Sequence, residues 1–209
     1  ISILMISGLI GQVNRLLTLS PTAQTSAIGN VMLPMMNPAR NHINTNDGVS
    51  FSKVNWLTSV VNDMNYTFVN LNKNSMGANV LFFNYGEQLE TDLTGVVTGN
   101  FSPSSSVWSV NWGGKIKNHN VGVTAKFIQH DLYTQKTHGA AFDIGGFFPK
   151  VYKDLDIDVM MRNFGFGPTF GTFKTNLPTS LNVSFTYPYK QFMFYEQHNL
   201  MKNRDAQMY

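Results

Sequence analysis

The chain contains no cysteine. That excludes a disulfide framework and a thiolate zinc site, and it leaves the redox compartment unread. Charge is scarce as well: Asp, Glu, Lys and Arg make up 13% of 209 residues, against a usual share of about 25%. The hydrophobic fraction is an ordinary 43%, so the place of the missing charge is taken by Asn, Ser, Thr and Gly. A soluble domain relies on surface charge to stay in solution, whereas neutral polarity suits a face turned toward a narrow lumen. This balance favours a membrane over the cytosol.

Long apolar runs are missing too. No segment reaches the roughly twenty apolar residues of a membrane-spanning helix, so any crossing of a bilayer has to be made by closed strands. The formal charge of +3 comes from dispersed Lys and Arg with no basic stripe, and nucleic acid is not an expected partner.

Catalytic and ligating constellations are also absent. His42, His119, His130, His138 and His198 are scattered, with no His-x-x-x-His pair and no Ser, His and acid in a triad-like order. Phe164-Gly165-Phe166-Gly167 and Gly145-Gly146 lack the strand-turn-helix context of a phosphate loop and read as bends. Asp156 and Asp158 share one strand face roughly 7 Å apart. They suit either a cation site or, as the favoured reading, a polar wall balanced by Lys126 and Arg162. No enzyme, metal or cofactor is expected.

What the sequence does have is alternation. From Asn118 to Tyr133, Val121, Val123, Ala125 and Phe127 share one strand face, while Gly122, Thr124, Lys126 and His130 share the other. The run exceeds the roughly nine to eleven residues that a tilted strand needs to cross a bilayer. Upstream, Trp108, Val110, Trp112 and Ile116 alternate with Ser109, Asn111, Gly113 and Lys115. Downstream, Leu155, Ile157, Val159 and Met161 alternate with Asp156, Asp158, Met160 and Arg162.

Strands are expected over 49–54, 57–71, 76–85, 107–117, 120–133, 138–148, 155–163, 180–189 and 191–200, joined by short turns and two longer connections, 86–106 and 164–179. Parity assigns Met64, Tyr66 and Phe68, then Ala140, Phe142, Ile144 and Phe148, then Leu181, Val183, Phe185 and Tyr187 to lipid. Asp143 falls on the lumen side. Aromatic residues toward strand ends, among them Trp56, Trp108, Tyr133, Phe147, Phe148, Tyr187 and Tyr189, fit an interfacial girdle. In strand 76–85, Leu81, Phe83 and Tyr85 fall on the lumen side, which calls for something apolar inside. A sandwich core remains the competing reading of the same pattern.

Residues 1–12 have the apolarity of a secretory h-region followed by small residues, or form a buried first strand or helix. Residues 13–47 lack a period of two and are rich in turn formers, with a short helix possible over Ala23 to Ile28. Within a barrel they form a plug, and beside a sandwich a leader. Residues 48–209 then form the wall, of about nine strands. An odd count suggests that the wall is incomplete, since bacterial single-chain barrels close with an even number.

Certain residues carry a resemblance in their order: Leu16-Leu17-Thr18-Leu19-Ser20-Pro21, Asn37-Pro38-Ala39, Asn55-Trp56-Leu57, Asn84-Tyr85-Gly86-Glu87, Gly99-Asn100-Phe101-Ser102, Val121 to Lys126, Arg162-Asn163-Phe164-Gly165 and Leu177-Pro178. Over about 16 to 200 the chain resembles the PorV/PorQ family of outer-membrane proteins, nearer the PorQ side. The resemblance implies a FadL-like antiparallel transmembrane β-barrel with an N-terminal plug in which Asn37, Pro38 and Ala39 are the motif. Thr124, Lys126, His130, Asp143, Asp156, Asp158 and Arg162 would line its lumen. It also implies a non-catalytic role in type IX secretion or surface attachment, in the bacterial outer membrane, with lipid and secretion components or cargo proteins as partners. A FadL-like channel for hydrophobic compounds and a soluble periplasmic β-sandwich binding protein are the alternatives.

Overall fold

The computed structural model describes residues 14–19, 21–22, 25, 36–43, 47–56 and 63–201. The proposed leader segment and most of the possible helix over Ala23 to Ile28 lie outside the described residues.

The fold is all-β and antiparallel. Nine strands form one sheet: β1 (Gly48–Asn55), β2 (Asn65–Lys73), β3 (Met76–Asn84), β6 (Ser104–Ile116), β7 (His119–Leu132), β8 (Gln135–Tyr152), β9 (Leu155–Phe166), β12 (Ser180–Tyr189) and β13 (Phe192–Met201). They lie side by side in that order, each antiparallel to the next. Two small hairpins, β4 (Gln88–Thr91) with β5 (Val97–Phe101) and β10 (Thr169–Phe170) with β11 (Phe173–Lys174), occupy the two long connections. Among the described residues the sheet is not closed, and β1 and β13 are its edges.

Hairpin tips step along the sheet. Met76, at the tip of β3, pairs with Trp112, and β6 then runs on to Ile116 before turning. Asn120 pairs with Phe147, and β8 runs on to Tyr152. A stagger of this kind is the register a tilted barrel wall requires.

One face carries apolar rows. Trp112, Val123, Ile144, Met161, Leu181 and Leu200 are successive neighbours across β6, β7, β8, β9, β12 and β13, each at least 40% exposed. Trp108 and Val110, with Val80 and Ala78 on one side and Phe127 and Ala125 on the other, continue the band.

The opposite, inner face is covered by the N-terminal segment. Leu16 and Leu17, in a 3-10 turn over Asn14–Thr18, pack with Tyr66, Phe68, Leu81, Phe83, Tyr85, Val107 and Ile128. The expected apolar packing of Leu81, Phe83 and Tyr85 is therefore met by Leu16 and Leu17. Removing each such side chain from water contributes about 1.5–3 kcal/mol.

Parity misassigned β2. Tyr66 and Phe68 are buried on the inner face, and Val69 and Leu71 are the outward residues paired with Phe51 and Val49. Both parities of this strand are apolar, so alternation alone could not choose. Phe147 likewise points inward, 4% exposed, and does not belong to an outer girdle.

Beyond this cluster the inner face is polar. On β12 its members are Ser180, Asn182, Ser184 and Thr186, all buried, while Leu181 points outward. Buried neutral polarity and exposed apolarity invert the distribution of an ordinary soluble domain.

Candidate functional site: a polar seat for the N-terminal segment

Residues Asn37 to His42 fold into a tight turn because Pro38 opens a 3-10 turn (Pro38–Arg40) and the Asn37 side chain caps it, accepting the Ala39 N–H at 3.0 Å. This turn is seated on the middle of the sheet. Gly113 of β6 pairs with Gly122 of β7, which pairs with Gly145 of β8, so three glycines form a row on the inner face. A Cβ at Gly113 would lie 1.9 Å from the Pro38 carbonyl oxygen, one at Gly122 2.3 Å from the Ala39 nitrogen, and one at Gly145 2.1 Å from Asn37 Oδ1. Only a bare backbone at all three positions lets the turn approach this closely.

Charge fixes the turn there. Arg40 donates through Nε to Asp158 Oδ1 at 2.8 Å and through Nη2 to Asp158 Oδ2 at 2.5 Å, and its guanidinium stacks 3.9 Å above the Phe147 ring. Asn37 Nδ2 donates to the same carboxylate at 2.7 Å and to the Gly146 carbonyl at 3.2 Å. Asp158 is fully buried, so this two-pronged pair is what permits the charge inside. Asn41 donates to Asn111, and His42 Nε2 bonds Asn120 Oδ1 at 3.0 Å.

A second cluster lies beside the first. Lys126 pairs with Asp143 at 2.7 Å and donates to Asn163 Oδ1 at 2.7 Å. Asn163 sits at φ 54° in a bulge where Arg162 and Asn163 of β9 together face Asp143 of β8, between the pairs Ile144–Met161 and Phe142–Phe164. The left-handed backbone aims its N–H at Asp143 Oδ1, 2.8 Å away, and its carbonyl accepts from the Thr179 hydroxyl at 2.9 Å. Between this cluster and the leucines of the N-terminal turn lies a cleft of about 90 Å³ lined by Leu16, Leu17, Phe68, Leu81, Lys126, Asp143 and Arg162 among others. Ligand pockets are usually about 300–1,000 Å³, so the space does not fit a lipid chain.

All seven residues expected on the lumen side, Thr124, Lys126, His130, Asp143, Asp156, Asp158 and Arg162, share the inner face. They do not form one site. His130 is fully buried apart from the rest, its Nδ1 2.6 Å from Ser105 Oγ. Asp156 accepts the Lys150 backbone N–H at 2.9 Å, whereas Asp158 serves Arg40. The expected balance of these two carboxylates by Lys126 and Arg162 is corrected on this point: Lys126 belongs to Asp143, and the counter-charge of Asp158 comes from the N-terminal segment.

Sequence reasoning missed Arg40, Asn163 and the glycine row. Gly145 is no bend but a place of close approach. Three glycines of one parity on consecutive strands were the available signal. Among the described residues no group of three His, Cys, Asp or Glu side chains converges as a metal site, and no helix is long and apolar enough to cross a membrane. Neither a family model nor a curated protein matches the chain.

Proposed function

We propose that the chain is the wall of a FadL-like transmembrane β-barrel of the bacterial outer membrane, with residues 13–47 as its plug. Its role is non-catalytic: a component of type IX protein secretion or surface attachment, with secretion components or cargo proteins as partners. The observation that carries the membrane reading is the exposed row from Trp112 to Leu200, set against a buried polar inner face. Hydrocarbon is the solvent that makes this distribution favourable, because neighbouring strands satisfy one another's backbone groups and present apolar side chains outward, and in the proposed barrel the edges β1 and β13 are paired by closure.

The secretory role rests on the resemblance to the PorV/PorQ family, whose Asn-Pro-Ala motif corresponds here to the turn seated on the glycine row. Locked contacts at that turn and the small cleft favour a fixed scaffold over a gated channel for hydrophobic compounds. The test is purification of the full-length protein in mild detergent, with mobility compared before and after boiling. A heat-dependent shift and co-purification with type IX components are expected. Full solubility without detergent and unchanged mobility would contradict the membrane reading, and intact cargo export in a deletion strain would contradict the secretory one.

A further inference from the structure

At one end of the sheet every hairpin closes with a loop of two residues: Asn74-Ser75, Lys117-Asn118, Lys153-Asp154 and Lys190-Gln191. The first residue of each has positive φ, and in three of the four it is lysine: Lys117 at 55°, Lys153 at 53° and Lys190 at 55°. The left-handed region is entered readily by Gly and Asn and at a conformational cost by lysine. Asn74, at 53° in the fourth turn, shows the easier solution. Lysine at three such positions trades local ease for charge at the rim.

Lys73, Lys115 and Lys150 lie beside the same turns. The acids at this end are Asp47, Asp154 and Asp156; Asp154 is 4.0 Å from Lys150, Asp47 accepts the Asn74 N–H, and Asp156 accepts that of Lys150. Lys153 and Lys190 extend over the exposed rings of Tyr152 and Tyr189, each 5.4 Å from the centroid. Among the described residues at the other end the balance reverses: Asp63, Glu87, Glu90, Asp92 and Asp131 outnumber Lys53, Lys136 and Lys174.

We infer that the two-residue-turn end is a docking rim for the headgroups of anionic phospholipids, and that it sets which end of the sheet meets the phospholipid leaflet. The inference rests on the membrane reading above. A plane of headgroups is the partner that suits cations spread along the hairpin tips, three in the turns themselves and Lys73 beside the fourth, with Lys153 and Lys190 each over an aromatic ring. An acidic protein segment would call instead for a compact patch. At the Lys153 and Lys190 tips, Tyr with Lys at the polar–apolar boundary supplies an anchor for the interface and a cation for the phosphate.

Full-length protein is refolded with vesicles of phosphatidylcholine alone or doped with phosphatidylglycerol, and insertion is read as protease-resistant protein. Lysine near an anionic surface is worth about fivefold in partitioning, so wild type gains on the order of a hundredfold from phosphatidylglycerol through three turn lysines, and the gain vanishes in high salt. The triple variant Lys117→Asn, Lys153→Asn, Lys190→Asn, whose turns close at least as well, loses most of that gain and inserts normally into phosphatidylcholine. The triple Lys→Arg variant keeps it. Insertion without lipid preference, or an Asn variant that retains the preference, overturns the rim. Failure to insert into either vesicle overturns the membrane reading, and the rim with it.

Discussion

Arg40 grips Asp158 across 118 residues of sequence, with Nε 2.8 Å from Oδ1 and Nη2 2.5 Å from Oδ2. The pair joins the N-terminal segment to the sheet. Breaking a buried pair from one side leaves an uncompensated charge and costs about 3–5 kcal/mol. Arg40→Ala is therefore expected to lower the unfolding free energy of refolded protein, read from urea titration, by that order and to open residues 36–43 to protease. Asp158→Asn added to Arg40→Ala should cost less than the sum of the two single changes. Additive losses would show that the two side chains do not act on each other.

The glycine row makes a sharper prediction. A Cβ at Gly122 would press on the backbone of Pro38 and Ala39, neither of which can swing aside. Gly122→Ala is expected to cost about 1–3 kcal/mol, as overpacking does, and to release the turn to proteolysis. Gly48→Ala, with nothing within 4 Å of its Cβ, serves as the neutral control. Equal stability of the two variants would remove the turn from its seat.

Much of this sheet was legible in the sequence, because an apolar face and a polar face on one strand force a period of two. Nine strands in their order, the inner parity of Lys126 and Asp143, and the need for an apolar partner of Leu81 and Phe83 all followed from it, although of the expected strand 57–71 only 65–71 is seen as strand and 57–62 lie outside the described residues. Where both parities are apolar, as in Tyr66 to Leu71, the signal was lost. The partner of Asp158 was invisible for another reason: Arg40 lies in a stretch with no period, and nothing local couples it to a residue so distant in sequence. The small hairpin β4–β5 also escaped, its strands being four and five residues long.

The stability of that hairpin depends on pH. Asp92 Oδ1 accepts the Thr94 hydroxyl at 2.6 Å, the Thr94 N–H at 2.8 Å and the Val96 N–H at 2.9 Å. The Thr94 hydroxyl first, and then the Val96 amide, hold its carboxyl below the ordinary range. Because the folded value is depressed, this contribution is full above the unfolded carboxylate pKa and is lost as pH falls through the folded one. Amide exchange at Thr94 and Val96, corrected for its intrinsic acid and base dependence, should show protection falling on acidification below the carboxylate range. Protection that is flat across that range would contradict the assignment.

Parity alone predicts that Val123→Arg is costly and Thr124→Arg mild. The structure keeps the first and corrects the second. Val123 is half-exposed on the apolar band, and arginine at the midplane of a lipid face costs about 2–4 kcal/mol. Thr124 is buried and lines the cleft with Lys126 and Arg162, so an added cation there meets like charge and little space. Comparable losses in lipid are now expected, but only the Val123 variant should recover in a water-exposed setting, where a surface change is worth about 0.5 kcal/mol or less.

In the membrane reading, hydrocarbon touches the outward face. The chain has three tryptophans, and Trp56→Phe leaves Trp108 and Trp112, both on that face and 53% and 40% exposed. Their fluorescence, measured in vesicles whose acyl chains carry bromine, tests the claim directly. Strong quenching by the brominated chains with little effect of aqueous iodide is predicted. Quenching by iodide with none from the brominated chains would contradict it.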